Sequence, residues 1–129
     1  MTIETGVLVD WDCHPIHWHL PVDRSAVHLA DSRDLWDVIW ERRAEVLGFA
    51  HSHPGMGIPA PSMEDLTTFS AVELALGRRL VWWITSGDEF IEISWTGPNK
   101  LSYRSGPKMY DPEWLGKLRE LSGFKCVNY

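Results

Sequence analysis

Short strand-like runs of apolar residues open the chain, with His17 and His19 on one face of the second. Residues 5–11 (TGVLVDW) and 16–22 (IHWHLPV) read as two strands joined by a turn at Cys13-His14-Pro15. The spacing then lengthens. Leu35, Trp36, Ile39, Arg43 and Val46 recur at helical spacing, and Asp31 or Ser32 can cap that helix. The short apolar run Val46-Leu47-Gly48-Phe49-Ala50 suits a buried strand and leads directly into His51-Ser52-His53-Pro54. A loop rich in Gly and Pro covers 54–61, and a helix follows from Ser62 to about Leu76, closed by Gly77. Residues 79–85, 89–95 and 100–104 read as three strands separated by turns at Gly87 and Gly97-Pro98. Asp111-Pro112 supplies a cap and a first-position proline for a last helix running to about Leu121. The order predicts an α/β fold in which helices cover a mixed sheet. No repeat or linker interrupts it, so the expectation is a single domain over 1–129.

Composition narrows the function classes. The chain has 129 residues, 44% of them hydrophobic and eight of them Trp, which is enough to bury one core. Its formal charge is -6, with no basic block longer than Arg42-Arg43 or Arg78-Arg79. A nucleic-acid partner is therefore not expected, because phosphate binding needs a positive footprint. No apolar run approaches the ~20 residues of a membrane helix, and Met1-Thr2-Ile3-Glu4 has no signal-peptide pattern. The expected compartment is the cytoplasm, where Cys13 and Cys126 would be free thiols.

The chemistry concentrates in residues 48–65, G-F-A-H-S-H-P-G-M-G-I-P-A-P-S-M-E-D. Residues two apart in extended chain share a side, so His51 and His53 can offer both imidazoles to one ion. Asp65, in the first turn of the next helix, can return to them across the glycine-bearing loop. Two imidazoles and one carboxylate leave the fourth tetrahedral position of Zn²⁺ open, which is the pattern of catalytic zinc. Taken singly the parts are bland. An H-x-H pair is common, and Ser62 with Asp65 three residues on forms an ordinary capping pair.

Together these residues resemble the JAMM metalloproteases, the catalytic MPN or JAB domain. That family carries a Glu at the head of its first strand, then H-[ST]-H-P, a short loop and S-x-x-D. Here His51-Ser52-His53-Pro54 and Ser62-Met63-Glu64-Asp65 match the second part, and Glu4-Thr5-Gly6-Val7-Leu8-Val9 resembles the strand opening. Three departures stand beside the match. Eight residues separate His53 from Ser62 where seven are usual, one glycine follows Thr5 instead of two, and no helix precedes Glu4. The last leaves room for a partner subunit that covers Glu4.

The resemblance implies an MPN-like (cytidine-deaminase-like) mixed sheet of about six strands flanked by helices. It implies one zinc held by His51, His53 and Asp65, Glu4 as general base toward a zinc-activated water, and Ser62 as donor to the oxyanion. It also implies an isopeptidase or peptidase that cuts after the Gly-Gly tail of a ubiquitin-like protein, in a compact chain like prokaryotic members. Two alternatives stay open: a family hydrolase acting on a sulfur-carrier protein or small amide, and a non-catalytic MPN-like scaffold that binds a partner.

Other residues have simpler expected roles. Cys13, His14, His17 and His19 cluster in sequence and read as a half-exposed strand edge in preference to a second zinc site. His28 reads as a surface histidine. Trp82 and Trp83 are expected on opposite faces of one strand, and Trp36 and Trp40 form one ridge, by default packed in the core.

Overall fold

The computed structural model describes residues 4–20, 33–107 and 110–124. Asp31, Ser32, His28, Cys126 and the end of the 16–22 strand lie outside them. The elements run β1 (Gly6–Asp10), β2 (Pro15–His19), α1 (Arg33–Glu41), β3 (Val46–Ser52), α2 (Met63–Leu76), β4 (Val81–Thr85), β5 (Phe90–Trp95), β6 (Tyr103–Pro107) and α3 (Leu115–Leu121). Six strands form one sheet in the order β2-β1-β3-β4-β5-β6. Among the described residues only β3 and β4 pair in parallel, as expected when α2 supplies the crossover between them. The α/β fold with a mixed sheet flanked by helices is the one the sequence predicts.

Strand alternation sorts side chains into two cores. Leu8, Phe49, Trp82, Ile84, Ile91 and Ile93 pack on one face with Leu35 and Ile39 of α1 and Phe69 of α2. Val7, Val9, Ala50, Trp83 and Phe90 pack on the other with Leu115 and Leu118 of α3. Trp82 and Trp83 accordingly face opposite sides. Trp36 packs against the first core, but Trp40 is 46% exposed beneath the guanidinium of Arg43, 4.2 Å from its ring. Core packing therefore fails for Trp40: the helix ends one residue later, and its ridge runs off the sheet.

Boundaries shift in three other places. Helix α1 stops at Glu41, so Arg43 and Val46 are not helical. Val46 instead opens β3, fully buried opposite Asp10, because strand pairing outweighs one more helical turn. The strand expected at 100–104 begins only at Tyr103. Thr96 N–H and Oγ1 both reach Ser102 O (2.8 and 3.0 Å), and Asn99 N–H reaches Ser102 Oγ (3.1 Å), closing 96–102 into a turn. β6 then continues through Gly106 and Pro107, which an edge strand tolerates. The last helix starts at Leu115, after a turn in which Leu115 N–H donates to Pro112 O (3.0 Å).

Gly48 lets β3 and β4 lie side by side. A Cβ there would sit 1.7 Å from the carbonyl oxygen of Val81. Backbone cannot yield as a flexible side chain does, so Gly48→Ala should cost about 1–3 kcal/mol through overpacking. Urea unfolding is the measurement; a midpoint equal to wild type would show that the strands separate freely here.

Candidate metal centre

The site lies at the carboxyl end of β3, where the parallel pair opens into the α2 crossover, a usual place for ligands in α/β sheets. β3 holds its register between β1 and β4: His51 lies opposite Gly6 on one side and Ile84 on the other. His53, just beyond the strand, is fixed by its N–H to Thr85 O (2.9 Å). Both imidazoles turn toward the α2 face. The His51 ring packs between Phe49 and Phe69, with centroids 6.2 Å away in each case.

Helix α2 delivers the carboxylate through its cap. Ser62 Oγ accepts from Asp65 N–H (3.0 Å), and Asp65 Oδ2 accepts from Ser62 N–H (2.9 Å). This reciprocal box orients Asp65 so that Oδ2 lies 3.1 Å from His53 Nε2 and Oδ1 lies 3.4 Å from His51 Nε2. The two Nε2 atoms are 3.1 Å apart. Glu4 reaches in from the head of β1, with Oε1 3.8 Å from His53 Nε2. The structure thus brings together all four residues that the sequence singled out around the ion. Ser62 is exposed, and the cap uses an oxygen lone pair, which leaves its O–H to donate elsewhere.

Electrostatics suit a cation. Burial lowers the His51 pKa more than Asp65 raises it, so its ring is held neutral, the form that can ligate. Burial pushes the Asp65 carboxyl up. Hydrogen bonds from His51, His53 and the Ser62 N–H outweigh that and keep it well below the usual carboxylate range.

Ligand atoms of Glu4, His51 and His53 all lie within 4.8 Å of one another, so this trio could hold a metal ion. The donor set fits zinc on a second count. Four ligands at about 2.0–2.1 Å in a tetrahedron are about 3.3 Å apart. The two Nε2 atoms are 3.1 Å apart, and Asp65 places Oδ1 3.4 Å from His51 and Oδ2 3.1 Å from His53, so each pairwise contact is close to that edge length, with a different carboxylate oxygen toward each imidazole. Glu4 stands further off at 3.8 Å from His53. Glu4 is 5% exposed.

The Cys13, His14, His17 and His19 cluster lies on and beside the edge strand β2, with Cys13 and His17 half-buried and His14 exposed as expected; His19 is the exception. His17 and His19 sit side by side on β2 with centroids 6.5 Å apart, but His19 is only 4% exposed instead of lying on a half-open edge. Burial and the neighbouring His17, opposed by Asp34, bring the His19 pKa from 6.5 to about 4. The folded protein therefore keeps this ring neutral while the unfolded chain protonates it. Its contribution to stability is complete above pH 6.5 and is lost as pH falls toward about 4. Melting temperature should drop more steeply over that window in wild type than in His19→Phe; parallel curves would contradict the assignment.

Sequence reasoning missed two buried polar groups. Glu73 lies on the stripe Asp65, Phe69, Glu73, Leu76 of α2, and a carboxylate at that spacing was the readable signal. Ser52, between the histidines, points to the α3 face and contacts Ser122; nothing local in the sequence pairs residues that far apart.

Compared with known families, residues 4–96 match a family model described as prokaryotic homologs of the JAB domain. No curated protein matches the chain significantly. Among the described residues no helix is long and apolar enough to cross a membrane.

Proposed function

The chain belongs to the family of prokaryotic JAB-domain homologues, and from that premise we propose that it is a zinc-dependent isopeptidase or peptidase acting after the Gly-Gly tail of a ubiquitin-like protein. One observation carries this reading: His51, His53 and Asp65 contact one another at tetrahedral-edge distances, with a second carboxylate, Glu4, set back beside them. A zinc ion at that point supplies Lewis-acid activation of a water and of the scissile carbonyl.

The chain's own residues do the rest. Asp65 touches both imidazoles and serves as the third ligand, whereas Glu4 stands 3.8 Å from His53 and acts as the base toward the attacking water. Glu4 takes that proton and returns it to the leaving amine, so one carboxylate serves as base and then acid. The Ser62 hydroxyl donates to the oxygen that gains charge as the carbonyl becomes tetrahedral.

A protein substrate is supported by the surroundings. Met56, Ile58 and Met63 are each more than two-thirds exposed on the loop and helix start that border the site. This loop is held firmly: Gly57 N–H donates to Asp88 Oδ1 (2.7 Å), Ser86 Oγ to Gly57 O (2.6 Å) and Gly87 N–H to Gly55 O (3.0 Å). A fixed apolar wall suits a narrow tail with no side chains, held by backbone hydrogen bonds.

The test is release of a reporter fused behind a Gly-Gly-ended ubiquitin-like protein. Cleavage should occur after the second glycine, stop with a chelator and resume on adding zinc. A protein that holds zinc yet releases no such cargo refutes the substrate assignment. Turnover of sulfur-carrier fusions instead would favour the carrier hydrolase, and tight binding without turnover the scaffold.

A further inference from the structure

We propose that Ser52 and Ser122 form a clamp on the sheet face opposite the metal centre, and that this clamp positions Glu4 for catalysis. The inference rests on Glu4 being the base. Strand alternation turns the residue between His51 and His53 away from them, toward α3. There Ser52 Oγ accepts from Thr5 N–H at 3.0 Å, which fixes the peptide that follows Glu4. Ser52 N–H in turn donates to Thr5 O at 3.0 Å, so one residue grips both ends of Thr5.

A hydroxyl carries one proton and two lone pairs, and that limits the remaining bonds. Ser122 Oγ lies 2.6 Å from Leu118 O and 2.8 Å from Ser52 Oγ. Ser122 donates to one of its two near acceptors, Leu118 O or Ser52 Oγ, and in either case Ser52 Oγ keeps a lone pair to accept with. That lone pair faces Thr5 N–H. Thr5 Oγ1 also reaches Leu121 O, at 3.4 Å. Helix α3, through Leu118, Leu121 and Ser122, thereby holds the head of β1 although it contributes nothing to the metal centre itself. Ser52, Thr5 and Ser122 are all at most 1% exposed, so water cannot replace a lost partner cheaply.

Such a clamp acts on the base and leaves the ligands alone, which separates it from a purely structural role. Misplacing a reacting group by about 1 Å can cost on the order of a hundredfold. The experiment compares wild type with Ser52→Ala, Ser52→Thr, Ser52→Val and Ser122→Ala, all loaded with zinc. Thr and Val have the same shape and differ in the hydroxyl.

We expect zinc stoichiometry and affinity at the wild-type level in every variant. Turnover should fall about ten- to a hundredfold in Ser52→Ala and Ser52→Val with KM unchanged. Ser52→Thr should recover most of it. Amide exchange at Thr5 should accelerate in the Ala and Val variants while the β3 and β4 amides stay protected.

Equal turnover of Ser52→Thr and Ser52→Val, or unchanged exchange at Thr5 in Ser52→Ala, overturns the clamp. Should the Ser52 variants not fold, Ser122→Ala carries the same exchange test. A wild type that binds zinc but cleaves nothing refutes the base role of Glu4; the Thr5 exchange readout still judges whether the clamp exists.

Discussion

Glu4→Gln is expected to bind zinc as wild type does and to lose about 10²–10⁴ of its turnover. Glutamine keeps the shape of the side chain and its ability to accept a hydrogen bond, but it cannot take a proton at neutral pH. His53→Ala should behave differently, losing metal first and activity as a consequence. The contrast depends on distance. Glu4 Oε1 lies 3.8 Å from His53 Nε2, whereas Asp65 places its two oxygens 3.1 and 3.4 Å from the two imidazoles. A group set back in this way leaves space for water between itself and the ion. Metal analysis beside a cleavage assay separates the roles: a Glu4→Gln protein that loses its zinc would make Glu4 a ligand, and one with full turnover would remove it from the chemistry.

Glu73→Ala is expected to destabilise the protein by about 3–5 kcal/mol, a large share of the ~5–15 kcal/mol that holds a domain of this size. The Glu73 carboxylate is 3% exposed and serves four donors. Oε2 accepts from Leu80 N–H (2.8 Å) and Trp82 Nε1 (3.1 Å), and Oε1 accepts from Arg79 Nη1 (3.1 Å) and the Tyr103 hydroxyl. These bonds join α2 to the heads of β4 and β6. Arg79 is half exposed and its ion pair adds little. The cost comes instead chiefly from Leu80 and Trp82, whose buried donors would lose their acceptor at about 1–3 kcal/mol each, with a further part from the half-buried Tyr103 hydroxyl. Glu73→Gln should fall between, because an amide offers one oxygen where the carboxylate offers two. Urea unfolding with an unchanged slope is the measurement; a loss below about 1 kcal/mol for the Ala variant would mean that water or rearrangement satisfies those donors.

Much of this was legible because the signals were local. The apolar run Val7, Leu8 and Val9, the capping pair Ser62 and Asp65, and the closing Gly77 each state their structure within a few residues. The side chains gathered at the candidate metal centre were legible for the same reason: a strand fixes the side of His51 and His53, and a cap fixes Asp65. The end of α1 was not: Arg43 leaves the helix, and Val46, read both as a helical position and as the start of the strand, pairs with Asp10, far away in the chain. The same holds for the polar interior. Ser122 meets Ser52 across 70 positions, and Tyr103 meets Glu73 across 30, so only the closed sheet with its helices brings them into contact.

Anomalous scattering at the zinc edge, from crystals of the metal-loaded protein, tests the central claim most directly. The account predicts one peak per chain, about 2.0–2.2 Å from His51 Nε2, His53 Nε2 and one oxygen of Asp65, with Glu4 outside bonding distance. A peak bound by Glu4 with Asp65 turned away, or no peak at saturating zinc, would contradict it.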